Sequence, residues 1–133
     1  MAQPNLNWTT IRAFTAVAGE STAIPAANTF VTLPGVIRQG GVPRLVEFFM
    51  DPVTPSAANT PTAVIIKIYR ALVTGDASRH LVATWTIAMT DITNNEIVPI
   101  IVEGYCQNYS VRVSFTGGSS PTFTGTVKAR ALE

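Results

Sequence analysis

Cys106 and His80 are the residues of this chain best suited to covalent catalysis, and each is the only residue of its type. A thiol activated by a neighbouring imidazole can attack acyl groups, and the two side chains need only meet in space. Cys106, however, stands beside Tyr105 just after an apolar strand, where inert, buried thiols are common. His80 opens a strand after the turn-like stretch "TGDASR", where a solvated histidine is common. We therefore expect no working dyad and no enzymatic activity.

Paired carboxylates for acid–base catalysis are a second possibility. Asp51, Asp76 and Asp91 each lie at a predicted turn, where an aspartate can bond neighbouring backbone N–H groups. Glu47 and Glu103 lie in predicted strands and are expected to face solvent or a partner. Nothing in their spacing favours an acid–base pair, and one cysteine with one histidine cannot supply the usual zinc ligands. We expect no metal and no cofactor.

Aromatic side chains are a third possibility, because two or three exposed rings together can stack on a sugar. Trp85 and Tyr109 fall on the apolar sides of their predicted strands, which favours packing in the core. Trp8 precedes the first strand and can be exposed or dock on a neighbour, and Tyr105 is a further candidate. A carbohydrate-binding face therefore stays open as an alternative.

The composition indicates a surface of low charge. Charged residues make up 13% of the chain and apolar residues 47%, whereas a typical soluble domain has about 25% charged residues. Thr, Ser, Asn, Gln and Ala must cover most of the surface, and such a surface tolerates permanent contact with another protein. We expect a homo-oligomer or a component of an assembly. The net charge of +1, with scattered arginines, argues against nucleic-acid binding.

The length of 133 residues fits one domain with one core. The opening stretch "MAQPNLNWTT" has neither the basic nor the apolar region of a signal peptide. The longest apolar run is far shorter than the roughly 20 residues that a membrane helix needs. We therefore expect synthesis and folding in a reducing host cytoplasm, with no membrane partner.

Alternating apolar and polar residues predict strands along most of the chain, separated by turn signals rich in Gly, Pro, Asn and Asp. The stretch 62–73 is apolar on both faces near its middle, which is typical of a central strand. Pro99 makes the strand at 96–105 an edge strand or a bulged one. The stretch 9–18 fits both the alternation of a strand and the apolar stripe of a helix, and its abundant Thr and lack of a capping box favour an extended segment. The other predicted strands are the start of 29–37, 44–51, 62–73, 80–89, 96–105, 109–116 and 122–131.

The closing segment, 108–131, alternates most regularly. In its second strand the apolar residues from Phe123 to Ala131 face inward, and Thr, Lys and Arg face outward. Gly125 interrupts the inward series and marks a bulge or a close approach of two backbones. A Gly-Gly-Ser-Ser-Pro turn joins the two strands, which predicts a β-hairpin.

These patterns predict an all-β chain: a single-domain antiparallel β-sandwich or jelly roll of about seven or eight strands, with an extended N-terminal segment. Residues 1–28 are expected to form an N-terminal arm or first strand, and residues 29–133 the sandwich. An extended arm of low charge can lie along a neighbouring protein and add a strand to it. The Pro-rich stretch 52–61 is a predicted surface loop.

Two stretches resemble a known group of proteins. They are "VTLPGVIRQGGVPRLVEFFMDPVT" (31–54) and "YSVRVSFTGGSSPTFTGTVKAR" (109–130), which combine Thr- and Ser-rich strands with Gly-Ser turns. In this the chain resembles small all-β accessory virion proteins of tailed bacteriophages, with capsid decoration (cement) proteins as the nearest group. The resemblance implies a β-sandwich on the outer shell of a phage head, often a trimer. Such a protein clamps neighbouring major capsid subunits against the pressure of the DNA inside.

The expected function is therefore that of a structural virion protein that binds and stabilises the head shell. The alternative is a tail or fibre component that binds a receptor carbohydrate. The expected partners are further copies of the chain, in a trimer, and the major capsid protein or another virion protein. Physical reasoning places contacts in residues 1–28, in the 52–61 loop and on the outward row of Arg112, Lys128 and Arg130. The possible contact residues are Trp8, Arg12, Arg112, Lys128 and Arg130.

Overall fold

The computed structural model describes residues 7–20, 23–34, 42–52, 60–72 and 78–133. Eight strands lie in these ranges, with a five-residue helix, α1 (Met89–Thr93), after the fifth strand and a 3-10 turn, Ala27–Thr29, before the second. The strands are β1 (Thr9–Ala18), β2 (Val31–Thr32), β3 (Leu45–Pro52), β4 (Ala63–Ala71), β5 (Arg79–Ala88), β6 (Ile100–Glu103), β7 (Asn108–Thr116) and β8 (Thr122–Ala131).

Two four-stranded sheets contain all of these strands. Sheet I has the order β1-β8-β3-β6 and sheet II the order β2-β7-β4-β5, with antiparallel neighbours throughout. The all-β antiparallel sandwich predicted from the sequence is confirmed, and the strand order is that of an eight-stranded jelly roll. Residues 1–6 and most of the predicted 52–61 loop lie outside the described residues. Within the described ranges, no helix has the length and apolar character to span a bilayer.

The core lies between the inner faces of the two sheets. Strand β8 shows the principle, because every second residue from Phe123 to Ala131 is buried while the residues between them face outward. At the centre, Phe48 of sheet I meets Tyr109 of sheet II edge-on, with ring centroids 5.4 Å apart. Trp85 is also buried in this core. The inward positions predicted for Trp85 and Tyr109 are therefore confirmed.

Two predicted strand positions are also confirmed. Strand β4 lies inside sheet II between β7 and β5. Part of its outer face is covered, since Phe30 packs with Tyr69 and Ala71 there. Strand β6 follows Pro99 and lies at the edge of sheet I, although it is shorter than the predicted 96–105. Pro99 lies just before the first residue of the strand, so its missing N–H removes no bond from the ladder.

The predicted closing hairpin is wrong, although both of its strands exist. Strand β7 pairs with β2 and β4 in sheet II, whereas β8 pairs with β1 and β3 in sheet I. The turn between them has positive φ at Gly117 (71°), Gly118 (81°) and Ser120 (48°), and it leads the chain from one sheet to the other. Alternation of apolar and polar residues shows only that each strand has one buried face. The pattern is the same whether the next strand pairs with it in the same sheet or lies in the opposite sheet.

Gly125 confirms the predicted close approach of two backbones. It is the register partner of Pro52 on β3. A Cβ atom added to Gly125 would lie 2.9 Å from both the Asp51 carbonyl oxygen and the Pro52 Cα, and 2.7 Å from the Phe123 ring. The first two atoms belong to the backbone of a central strand, so they cannot move aside easily.

We predict that Gly125→Ala lowers the free energy of unfolding by about 2–3 kcal/mol, because the new methyl group forces β3 and β8 apart. Gly19→Ala is the matched control, since a Cβ atom there meets only the Phe115 ring at 3.6 Å, an ordinary contact. Urea unfolding followed by tryptophan fluorescence measures both variants. Wild-type stability of the Gly125 variant would contradict the close approach.

Candidate functional site

Cys106 and His80 lie in different environments, one buried and one exposed. Cys106 is buried, and its Sγ donates a hydrogen bond to the carbonyl oxygen of Ala71. His80 is exposed at the start of β5, and no hydrogen bond joins it to Cys106. In the parts of the chain that the structure describes, no three His, Cys, Asp or Glu side chains are grouped as metal ligands. Cys106 is a structural thiol and His80 a surface histidine.

Trp8, Arg130 and Glu47 form an ordered stack on the outer face of sheet I. Arg130 Nε donates a hydrogen bond to Glu47 Oε1 at 2.7 Å. The guanidinium carbon of Arg130 lies 4.3 Å from the centroid of the Trp8 ring, within cation–π distance. The Trp8 ring also contacts that of Phe49, with centroids 5.7 Å apart. We call Trp8, Glu47, Phe49, Lys128 and Arg130 the sheet I contact face.

The strands fix this arrangement. Strand β8 lies between β1 and β3, and Arg130 faces outward because its neighbour Ala129 is buried in the core. Glu47 is the register partner of Arg130 on β3. Trp8 immediately precedes Thr9, which pairs with Ala129, so its ring reaches Arg130 from the other side. The stack therefore spans three adjacent strands.

The charges on the sheet I contact face are mostly paired. The side chains of Arg130 and Glu47 keep only 26% and 16% of their exposure. Because their ion pair is already formed, a protein that covers the face buries a paired charge rather than a lone one, and a lone buried charge is the costlier case. Lys128 adds one positive charge, and Ile101 beside Glu47 adds an exposed apolar side chain. Tryptophan and arginine on a weakly charged surface are typical of the centres of protein interfaces.

Arg112, Lys128 and Arg130 do not form the single outward row that the sequence predicts. Lys128 and Arg130 lie on β8 and face outward from sheet I. Arg112 lies on β7 in sheet II, opposite Lys67. The three side chains therefore belong to opposite exteriors of the sandwich. The error follows from the predicted hairpin, which placed both strands in one sheet.

Arg12 takes part in the structure at the edge of β7. Its two guanidinium Nη atoms donate to the two carboxylate oxygens of Glu20 at 2.6 and 2.9 Å, and Nη1 also donates to the Val111 carbonyl oxygen at 3.2 Å. The backbone N–H of Glu20 donates to the Val113 carbonyl oxygen, and the N–H of Val113 donates to Glu20 Oε1. These bonds occupy the edge of β7 beyond the two-residue strand β2 and join β1 of sheet I to sheet II.

Opposing influences act on the pKa of Glu20. Burial is the largest and by itself raises the pKa. The hydrogen bonds from Arg12 and Val113, together with the charges of Arg12 and Arg112, outweigh burial, so the pKa is lowered from its ordinary value. Glu20 is therefore ionised in the folded protein at neutral pH and completes a two-point pair with Arg12.

Pockets lined by described residues also lie outside the sheet I contact face. One, of about 220 Å³, lies beside the Arg12–Glu20 pair, where Ser110 is buried under Thr29 with their hydroxyl oxygens 3.1 Å apart. Another, of about 370 Å³, lies beside α1 and is lined by neutral residues. The lining of the first consists of Arg12, Glu20, Pro25, Thr29, Ser110, Val111 and Arg112.

Tyr105 is displayed at the end of the sandwich. It is 53% exposed and has a φ of 50°, a left-handed backbone conformation that bulky residues seldom adopt. The preceding Gly104 packs against Tyr109, and a Cβ atom there would lie only 1.7 Å from the Tyr109 hydroxyl oxygen. Burial raises the pKa of Tyr109, so this hydroxyl stays neutral.

Sequence reasoning did not identify the side chains that contact the predicted residues. Glu47 was expected to face solvent or a partner protein, but its bond to Arg130 joins positions 83 residues apart. Phe49 shares the outward parity of Glu47, which was the only local signal available. Glu20 lies in a stretch that reads as a loop or arm, and no residue pattern there indicates its pairing with Arg12.

Comparisons with known proteins return no relative. No family model, no curated protein and no solved structure matches this chain. The candidate site is therefore assigned from its own geometry.

We predict that Glu20→Gln lowers stability at pH 7 by about 1–2 kcal/mol, because the charge-assisted bonds to Arg12 are lost. Since the pKa of Glu20 is lowered by folding, its contribution is full above the ordinary glutamate value of about 4.3. That contribution is lost as the pH falls through the folded-state pKa. The difference in stability between wild type and the Glu20→Gln variant should therefore shrink at acid pH. Thermal unfolding at several pH values between neutral and strongly acidic measures both effects.

Glu103→Gln is the matched control for this experiment. The Glu103 side chain is 64% exposed with its nearest arginine nitrogen at 3.9 Å, whereas that of Glu20 is 17% exposed with Arg12 at 2.6 Å. We expect the control to change stability by less than about 0.5 kcal/mol. Equal effects of the two substitutions would show that the Glu20 pair has no special role.

Proposed function

We propose that this protein is a structural component of a phage virion, a capsid decoration protein that binds the outside of the head shell and stabilises it. The observation on which the proposal rests is the sheet I contact face, where Trp8, Arg130 and Glu47 are fixed against one another. Side chains that are already ordered lose little conformational entropy when a partner covers them. A face of this kind suits permanent attachment to another protein.

The position of the face in the fold suits a clamp. Arg130 and Glu47 lie on β8 and β3, the two central strands of sheet I, so a partner that binds them engages the most constrained part of the sandwich. A load applied there passes through backbone ladders and the core rather than through loops. The proposed partner is the major capsid protein, and the proposed location is the virion, with the protein present as a homo-oligomer.

Fold alone does not select this function, because jelly rolls also occur in lectins and cupins. The resemblance of residues 31–54 and 109–130 to accessory virion proteins supports the choice, and so does the low content of charged residues, 13%. These observations agree with the paired charges on the sheet I contact face, since both suit a surface that is covered by protein in use.

A second candidate function is carbohydrate binding as a tail or fibre component. The observation that favours it is the exposed Tyr105, held in a left-handed conformation at the end of the sandwich. Strained, exposed residues are enriched at binding sites. Trp8 is less suited to stack on a sugar, because its ring is already in contact with Arg130 and Phe49.

We predict that Trp8→Ala and Arg130→Ala each weaken binding to head shells at least about tenfold, a cost of about 1.4 kcal/mol. The shells are assembled from the major capsid protein of the same genome, and binding is measured by co-sedimentation over a range of protein concentrations. Wild-type protein should also raise the melting temperature of the shells.

Ile24→Ala and Arg112→Ala are the matched controls, because Ile24 is exposed outside sheet I and Arg112 lies on sheet II. Circular dichroism verifies that each variant is folded. Unchanged binding by the folded Trp8 and Arg130 variants would exclude the sheet I contact face. The carbohydrate function would be established instead if wild-type protein did not bind shells but bound a glycan array, and if Tyr105→Ala abolished the glycan binding.

A further inference from the structure

The four edges of the two sheets are not equally protected. The edge strands are β1 and β6 in sheet I, and β2 and β5 in sheet II. An open edge presents unpaired N–H and C=O groups, which can pair with a strand of another chain. Folded proteins that stay monomeric protect their edges with bulges, short strands, prolines or charges.

Three of the edges have such protection. Strand β1 has register shifts at Thr10/Arg12 and at Phe14/Val17, and Ala16 has a φ of 47°. Strand β6 is four residues long and follows Pro99. Strand β2 is two residues long, and the β7 edge beyond it is occupied by Glu20.

Strand β5 has a long stretch without protection. Its pairing with β4 is regular from Ala83 to Ala88, and the one register shift lies before that, next to Leu81. Residues 81–88 include no charged residue, proline or glycine. Among the residues that the structure describes, none forms a backbone ladder with the other side of 83–88. Thr84, Thr86 and Ala88 are exposed on the outer face, whereas Trp85 and Ile87 are buried.

We propose that this edge binds a second copy of the chain. Strand β5 pairs antiparallel with β5 of the partner subunit about a two-fold axis at Trp85. The two four-stranded sheets II then join into one continuous sheet of eight strands. The interaction surface is the backbone of residues 83–87, and main-chain hydrogen bonds across the edge supply the affinity.

The residues of β5 are complementary to themselves in this pairing. Antiparallel pairing about a two-fold axis at Trp85 places Thr84 opposite Thr86 of the partner subunit, and Ala83 opposite Ile87 of the partner subunit. Threonine pairs are favourable across antiparallel strands, and apolar pairs extend the core beside them. No like charges face one another, because 81–88 has no charged residue. A two-fold axis requires this self-complementarity, which is why we assign the edge to a second copy.

This inference is independent of the proposed virion function, because it rests on the sheet edges alone. It specifies a dimer, whereas the resemblance to decoration proteins implies a trimer. It also leaves the sheet I contact face uncovered, since β5 belongs to sheet II. Failure of the shell-binding experiment would therefore leave the dimer standing, and the reverse also holds.

The test is the oligomeric state of a charged edge variant. We expect wild-type protein to sediment as a dimer, and Thr84→Lys/Thr86→Lys to raise the dimer dissociation constant at least about tenfold, because lysines then face lysines. Thr15→Lys is the matched control: an exposed threonine in the bulged part of the β1 edge with the same substitution, which should leave the dimer intact. Sedimentation velocity over a concentration series measures all three proteins.

Hydrogen exchange of the wild-type protein gives a second measurement that does not depend on the folding of the variant. Protection of those amides in 83–87 that point away from β4 should increase with protein concentration, while β1 amides stay unchanged. A wild-type monomer at all concentrations would overturn the proposal, and so would a trimer, or a dimer that the double substitution leaves intact. Protection of these amides that arises only on binding to shells would assign the edge to a foreign strand instead.

Discussion

The structure depends on the packing of two apolar sheet faces against each other. Phe48 and Tyr109 meet at the centre of this contact, and each inward side chain is held by others from across the core. Because neighbours along a strand point to opposite faces, every buried residue also fixes an outward one. Arg130 faces outward because Ala129 and Ala131 are buried. The order of the sheet I contact face is therefore a consequence of the order of the core behind it.

Packing of the two faces does not satisfy the backbone N–H and C=O groups at the sheet edges. These groups are bonded in different ways at different edges. At the edge of β7, the N–H and side chain of Glu20 bond to Val113 while Arg12 bonds to Val111. The paired carboxylate and guanidinium bond to backbone groups of β7 that a longer β2 would otherwise pair with. Nothing comparable covers β5 among the described residues. This contrast between the two edges of sheet II is the basis of the proposed β5 dimer.

Local pattern in the sequence predicts the face of each residue but not its neighbour across the ladder. The alternation of β8 places Lys128 and Arg130 outward correctly, and the break at Gly125 marks a real close approach. The pairing of Arg130 with Glu47 depends on the adjacency of β8 and β3, which no local pattern encodes. The same gap produced the wrong hairpin and the wrong row containing Arg112. The reach of Arg12 toward sheet II coincides with a register shift in β1, which is also invisible in the sequence.

The two proposed surfaces are compatible with simultaneous use, and their geometry links them. A two-fold axis at Trp85 that joins the two sheets II edge to edge runs perpendicular to the joined sheet. Rotation about that axis keeps the outward normal of each sheet unchanged, so both copies of sheet I lie on the same side of the dimer. Both sheet I contact faces then point in the same direction.

A dimer of this form can bind two neighbouring sites on one shell, and the second binding event is intramolecular. Linking two sites in this way can raise the overall affinity by roughly 10²–10⁴ without any new contact. A modest contact face of the Trp8–Arg130–Glu47 type is then sufficient for permanent attachment.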